Sequence, residues 1–175
     1  MMICGRRFFF VLLFGSLGGW LFLLALASRY EDGANYSLIE ERLYMGGRVR
    51  QPPPGTGAVL NLDQAEDAYR CTSPVWEPIR DSAPAPDIDW LRRMVQFIDA
   101  QRRDGVTTYV HCLNGVSRSG MVVTAYLMYE KRWTRDQALA FVRSKRPITR
   151  PNPAFMELLL KWEAVVHEQS GQSPR

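Results

Sequence analysis

The chain has 175 residues, 46% hydrophobic and 23% charged, enough apolar material for one core of ordinary size and too much for a disordered or fibrous chain. Three cysteines, Cys4, Cys71 and Cys112, and two histidines are too few for a disulfide framework or a spaced zinc site, so no metal is expected. The net charge is +4, but without Arg6, Arg7 and Arg29, which border an apolar stretch, residues 30–175 carry 19 basic and 18 acidic side chains, and bulk charge gives nucleic-acid binding no support.

Phe8 to Ala27 is twenty residues without a charge, between Arg6-Arg7 and Arg29 with Glu31 and Asp32. That length matches a bilayer core, so residues 1–29 read as a hydrophobic helix anchoring a single-pass protein in a membrane through residues 8–27, with residues 30–175 as the folded domain. The alternative is a signal peptide cleaved after Ala25-Leu26-Ala27, a small-x-small site, followed by export. A helix buried in the domain is the third reading. The flanking charges favour an inside N-terminus and place residues 30–175 on the other side, by a margin of one arginine.

After a polar linker, Leu38–Met45 reads as a strand ending at Gly46-Gly47, and Ala58–Leu62 as a second strand after the Pro52-Pro53-Pro54-Gly55 turn. Val75–Ile79 is a weaker strand, interrupted by Pro78, that runs into Asp81-Ser82-Ala83-Pro84-Ala85-Pro86, too rich in proline to be regular. From Asp89, the spacing of Trp90, Leu91, Met94, Val95, Phe97 and Ile98 predicts a helix up to Asp104-Gly105, and Val106–His111 is a β-rich run suited to a buried strand. Further helices are predicted over Ser119–Lys131, from a capping box at Thr134-x-x-Gln137, and from Asn152 as cap with Pro153 in the first position. The pattern is α/β with a helical C-terminal half. The basic run Lys131, Arg132, Arg135, Arg143, Lys145, Arg146 and Arg150 reads as a solvated face that could also recruit anionic substrates.

The chemistry concentrates in His111-Cys112-Leu113-Asn114-Gly115-Val116-Ser117-Arg118-Ser119-Gly120, where a strand gives way to a helix. A loop there directs successive N–H groups into one concavity and the helix N-terminus adds positive partial charge, so the place suits an anion such as phosphate. A cysteine at its base has its thiolate stabilised by the same donors and becomes a nucleophile. Arg118 can grip two phosphate oxygens with its planar fork, and Gly115 suits a backbone that must curl without a Cβ.

His111-Cys112-x5-Arg118-Ser119 resembles the signature loop of the cysteine-dependent protein tyrosine phosphatases, and its surroundings resemble the dual-specificity branch. The likeness includes Ala125-Tyr126-Leu127-Met128, Arg146-Pro147, Pro151-Asn152-Pro153-x-Phe155 and Trp162-Glu163, and more loosely Leu43-Tyr44-Met45-Gly46 and Val59-Leu60-Asn61-Leu62. It covers Leu38 to Glu163. The resemblance implies a phosphotyrosine-phosphatase-like α/β fold, a central mostly parallel sheet flanked by helices, with residues 30–175 as its catalytic domain and no cofactor. It further implies that Cys112 attacks phosphorus, that Arg118 and the amides of Leu113, Asn114, Gly115, Val116 and Ser117 hold the phosphate, and that Ser119 hydrogen-bonds the sulfur. His111 is expected to orient the loop. The family places an acid on a mobile loop about thirty residues before the cysteine; Asp81 lies 31 residues upstream, with Asp87, 25 upstream, in reserve. Asp87 and Asp89 serve better as caps of the helix at Trp90.

The expected function is hydrolysis of phosphotyrosine in proteins, with phosphoserine and phosphothreonine as further substrates. The alternative is a membrane lipid phosphatase acting on phosphatidylglycerophosphate or a phosphoinositide headgroup, but positions 113–117 offer no lysine or arginine for extra phosphates. A binding module without catalysis is disfavoured by the intact Cys112, Arg118 and Asp81, and a rhodanese-like sulfurtransferase by the Arg118-Ser119 ending. Cys71 reads as structural, with a resolving role for oxidised Cys112 as the other reading, and His167 as a surface residue.

Overall fold

The computed structural model describes residues 35–171. The apolar stretch 8–27, and with it the anchor reading, lies outside them; among the described residues no helix is long and apolar enough to cross a membrane.

The centre of the fold is the strand β5, Thr107–His111, whose last four residues are fully buried. A run of β-branched and aromatic residues with no polar alternation is what a strand covered on both faces requires. It lies between β2, Leu43–Gly46, and β3, Thr56–Asn61, with β1, Tyr36–Glu40, and β4, Ser73–Trp76, at the edges, giving the order β1-β2-β5-β3-β4. The β1–β2 pair is antiparallel and all other pairings are parallel. Pro74 is tolerated in β4 because an edge strand has one side without ladder bonds.

The expected single strand Leu38–Met45 is instead a hairpin. The chain reverses at Glu41-Arg42, where Arg42 has φ 60°, so that Ser37 pairs with Met45 and Leu38 with Tyr44. No glycine, asparagine or proline advertises this turn. Its bend is held from outside by Arg102, whose guanidinium donates to the carboxylates of Glu40 and Glu130 (both 3.1 Å), the Tyr126 hydroxyl (2.6 Å) and the Glu41 carbonyl (3.1 Å).

Helix α1, Ile88–Arg103, starts at Asp87, whose carboxylate accepts the Trp90 N–H at 2.7 Å. Helix α2, Arg118–Lys131, has every residue from Arg118 to Met128 buried, as expected of a helix without a polar face. It packs against α1, α3 (Arg135–Lys145) and α4 (Pro153–Gly171). Both arms of the Thr134/Gln137 capping box form, at 3.3 and 3.0 Å, and Asn152 caps α4 by accepting the Phe155 N–H at 3.0 Å. The buried Trp162 of α4 donates its indole N–H to the Ala125 carbonyl at 3.0 Å. The core formed in this way fixes the end of β5 against the start of α2, and the functional loop spans that junction.

Candidate active site

The loop from Cys112 to Ser117 leaves the carboxyl end of β5 beside those of β2 and β3, the position where open α/β sheets bind ligands. Four of its carbonyls are held from outside: Leu113 O by the Arg48 N–H (2.9 Å), Asn114 O and Gly115 O by the Arg146 guanidinium (3.2 and 2.7 Å) and Val116 O by the Arg150 N–H (2.9 Å), while Ser117 O accepts the Met121 N–H (2.8 Å) as α2 begins. In a planar trans peptide the N–H points opposite to the C=O. Fixing the carbonyls outward therefore turns the intervening amides toward Cys112, and Gly115 N–H donates to Cys112 Sγ at 3.3 Å. Gly115 has φ +67°, and a Cβ there would lie 2.3 Å from the Gly46 carbonyl carbon and 2.5 Å from Gly47 N. Both the turn and the close approach exclude a side chain.

Arg146 is a correction to the solvated-face reading. It is 6% exposed, and it clamps the loop instead of facing water; burial draws its pKa down, opposed by the nearby Tyr109 hydroxyl and Cys112 sulfur. Others of that run are also engaged: Arg132 donates to Val166 O at 3.1 Å and Lys131 pairs with Glu40 at 3.1 Å.

Around the sulfur, the Ser119 hydroxyl lies 3.4 Å from Cys112 Sγ and 3.2 Å from the Gly46 carbonyl. Arg118 is 6% exposed and one edge of its fork is fixed: Nη1 donates to Leu62 O (3.1 Å) and Ile79 O (3.3 Å) and approaches Asp63 (3.5 Å). Among the described residues its buried Nε has no hydrogen-bond partner; Asp81 Oδ2, at 3.9 Å, is an ion-pair neighbour too far away to accept one. The other oxygen of Asp81 accepts from the Ser117 hydroxyl at 2.6 Å and Asn152 Nδ2 at 2.9 Å. The structure thus brings a thiol, a hydroxyl, a ring of amides, a guanidinium with an open edge and a carboxyl group to one place. An oxyanion fits this donor set.

The profile described as "Dual specificity phosphatase, catalytic domain" matches residues 56–165. The chain belongs to this family. Among its relatives, dual specificity protein phosphatase 1-A of Xenopus laevis is 39% identical over 89 residues, 51% of this chain and 24% of the relative, so the chain spans about a quarter of that protein's length. The 123R protein of Invertebrate iridescent virus 6, named as a candidate tyrosine phosphatase, is 34% identical over 128 residues, 71% of this chain and 89% of the relative. The crystal structure of human DUSP28 superposes with a TM-score of 0.70 at 27% identity, covering 76% of this chain and 95% of that one.

Several residues of the candidate site are not visible in the sequence pattern. Asp63, 2% exposed, carries the Arg118 fork on one oxygen and the Arg48 side chain on the other (2.8 Å). The Tyr109 hydroxyl, its pKa raised by burial, donates to the Gly47 carbonyl under the loop. The Arg146-Pro147 and Pro151-Asn152 motifs were signals for Arg146 and Asn152, but not of what they touch. His111 is fully buried, stacked on Tyr109 with 5.0 Å between ring centroids, and its Nε2 lies 3.1 Å from Asp67. It makes no hydrogen bond to the sulfur. Cys71 lines a separate cleft with Asp67, Tyr69 and Trp76, and burial pushes its thiol up, which disfavours the thiolate. Beside the loop, an open groove of about 560 Å³ runs from Asp81 and Ser117 past Arg150 and over Pro151, Pro153 and Met156.

Proposed function

We propose that the chain is a protein phosphatase that hydrolyses phosphotyrosine, and phosphoserine and phosphothreonine as well, through a phosphocysteine. The observation that carries this is the buried Arg118 Nε, which has no hydrogen-bond partner among the described residues and lies 3.9 Å from Asp81, beside a loop whose Gly115 N–H donates to Cys112 Sγ. A phosphate seated there receives the open edge of the Arg118 fork and the loop N–H groups on its equatorial oxygens. The Cys112 thiolate attacks phosphorus, the S–P bond forms, and the P–O bond to the substrate oxygen breaks as the Asp81 carboxyl delivers its proton to that oxygen. Asp81, now a carboxylate, takes a proton from water, whose oxygen attacks phosphorus. The S–P bond breaks, the Ser119 hydroxyl turns its hydrogen bond from the Gly46 carbonyl to the departing thiolate, and inorganic phosphate leaves. The groove past Arg150 is suited to the flanking peptide, with Pro151, Pro153 and Met156 offering it a partly apolar lining.

The membrane association of this enzyme through residues 8–27 is part of the same proposal and rests on the sequence alone. The lipid-phosphatase alternative shares the chemistry but lacks support from basic residues at 113–117. The full chain assayed on a phosphotyrosine peptide and on phosphatidylglycerophosphate vesicles separates the two. Faster turnover of the peptide is expected, and the reverse order favours the lipid reading. Cys112→Ser should abolish both activities, since a serine hydroxyl does not supply a thiolate; turnover within tenfold of wild type would overturn the covalent mechanism.

A further inference from the structure

We propose that Asn35 is a positioning residue for the phosphate cradle, acting through Arg146. The proposal rests on the reading of the Cys112 loop as an oxyanion site. Arg146 holds the Asn114 and Gly115 carbonyls, so the direction of the amides that follow them depends on where its guanidinium sits. The guanidinium is buried, and among the described residues no carboxylate pairs with it. Its remaining acceptors are neutral: Asn35 Oδ1, in a short hydrogen bond from Nη2, and Ser37 Oγ, at 3.5 Å from Nη1. Asn35 is therefore the strong side-chain anchor of Arg146 outside the loop, held by the same Nη2 that donates to the Asn114 carbonyl.

Three layers meet at this point. The Asn35 carbonyl accepts the Gly47 N–H at 2.7 Å, and a Cβ on Gly47 would lie 2.1 Å from Asn35 Nδ2 and 2.7 Å from Leu113 O. Gly115 in turn stacks on Gly46-Gly47, and a Cβ on it would lie 2.6 Å from Arg146 Nη2. Asn35, the Gly46-Gly47 backbone, Arg146 and the loop are packed without slack, so a displaced guanidinium shifts the loop.

The test uses the full chain, with turnover of an aryl phosphate and competitive inhibition by tungstate as readouts. Wild type must bind tungstate; if it does not, the oxyanion reading fails and Asn35 is not the cause. Asn35→Ala is expected to lower kcat about tenfold and weaken tungstate about tenfold at an unchanged melting temperature. Asn35→Asp, which keeps the acceptor, is expected to recover tungstate affinity to within threefold of wild type. In a double-mutant cycle, Asn35→Ala added to Arg146→Ala should cost less than twofold more than Arg146→Ala alone, because the two act in series. An Asn35→Ala enzyme with wild-type kcat and tungstate inhibition overturns the proposal, and so do multiplicative losses in the double variant. If Asn35→Ala melts early, the cycle is read from tungstate affinity below its transition, where the same two outcomes decide.

Discussion

Asp81 and Asp87 stand six residues apart in the sequence and are separated by what their carboxylates touch. Asp87 accepts the Trp90 N–H and begins α1, a role worth about 1 kcal/mol of stability. Asp81 is held at the Cys112 loop by Ser117 and Asn152, beside the open edge of Arg118. Asp81→Asn is therefore expected to lower turnover by about 10² to 10⁴ on phosphates with poor leaving groups and by less on activated aryl phosphates, which leave without a proton. Asp87→Asn should leave kcat within about threefold, since an asparagine also caps a helix. Steady-state kinetics on a phosphotyrosine peptide and an activated aryl phosphate check both, and the opposite pattern would move the acid to Asp87. That Cys112, Arg118 and Ser119 would come together was legible because one loop carries all three. Asp63, Arg146 and Asn35 were not, because each reaches the site from a segment far along the chain, and Tyr109, only three residues before Cys112, was not, because the Gly47 carbonyl it holds is distant in sequence.

At the scale of elements, legibility followed the strength of local signals. α1, α3 and α4 start where their caps say, since Asp87, Thr134 and Asn152 satisfy backbone donors that any helix start leaves free. The β1–β2 hairpin was hidden because its reversal at Glu41-Arg42 is stabilised by Arg102, sixty residues on in α1, and not by a turn residue. The same dependence on distant packing makes α4 a test of the fold. Trp162 is 2% exposed and joins α4 to α2 through the core and the Ala125 carbonyl. Trp162→Ala removes a large buried side chain, at a cost of about 3–5 kcal/mol. Set against typical domain stabilities of about 5–15 kcal/mol, this should lower the urea midpoint markedly and reduce activity only in proportion to the unfolded fraction. A midpoint unchanged within error would show that α4 is not integral to the core.

For the whole molecule, two demands pull against each other. Two arginines before residues 8–27 and one after, together with Glu31 and Asp32, favour placing the catalytic unit outside the cytoplasm. A mechanism that depends on a reduced Cys112 favours a reducing compartment, because an oxidising one converts a thiolate to sulfenic acid or a mixed disulfide. A difference of one arginine is a weak topological signal, whereas twenty consecutive uncharged residues are a strong signal for the membrane itself. We therefore expect the full chain, expressed with a C-terminal tag, to pellet with membranes, resist carbonate extraction and keep the mass of all 175 residues. A soluble product beginning at Ser28 would show instead that the first 27 residues are a cleaved signal peptide. With the anchor retained, external protease on sealed cells decides the side: removal of the tag supports the charge argument, and protection places Cys112 in the compartment that keeps it reduced.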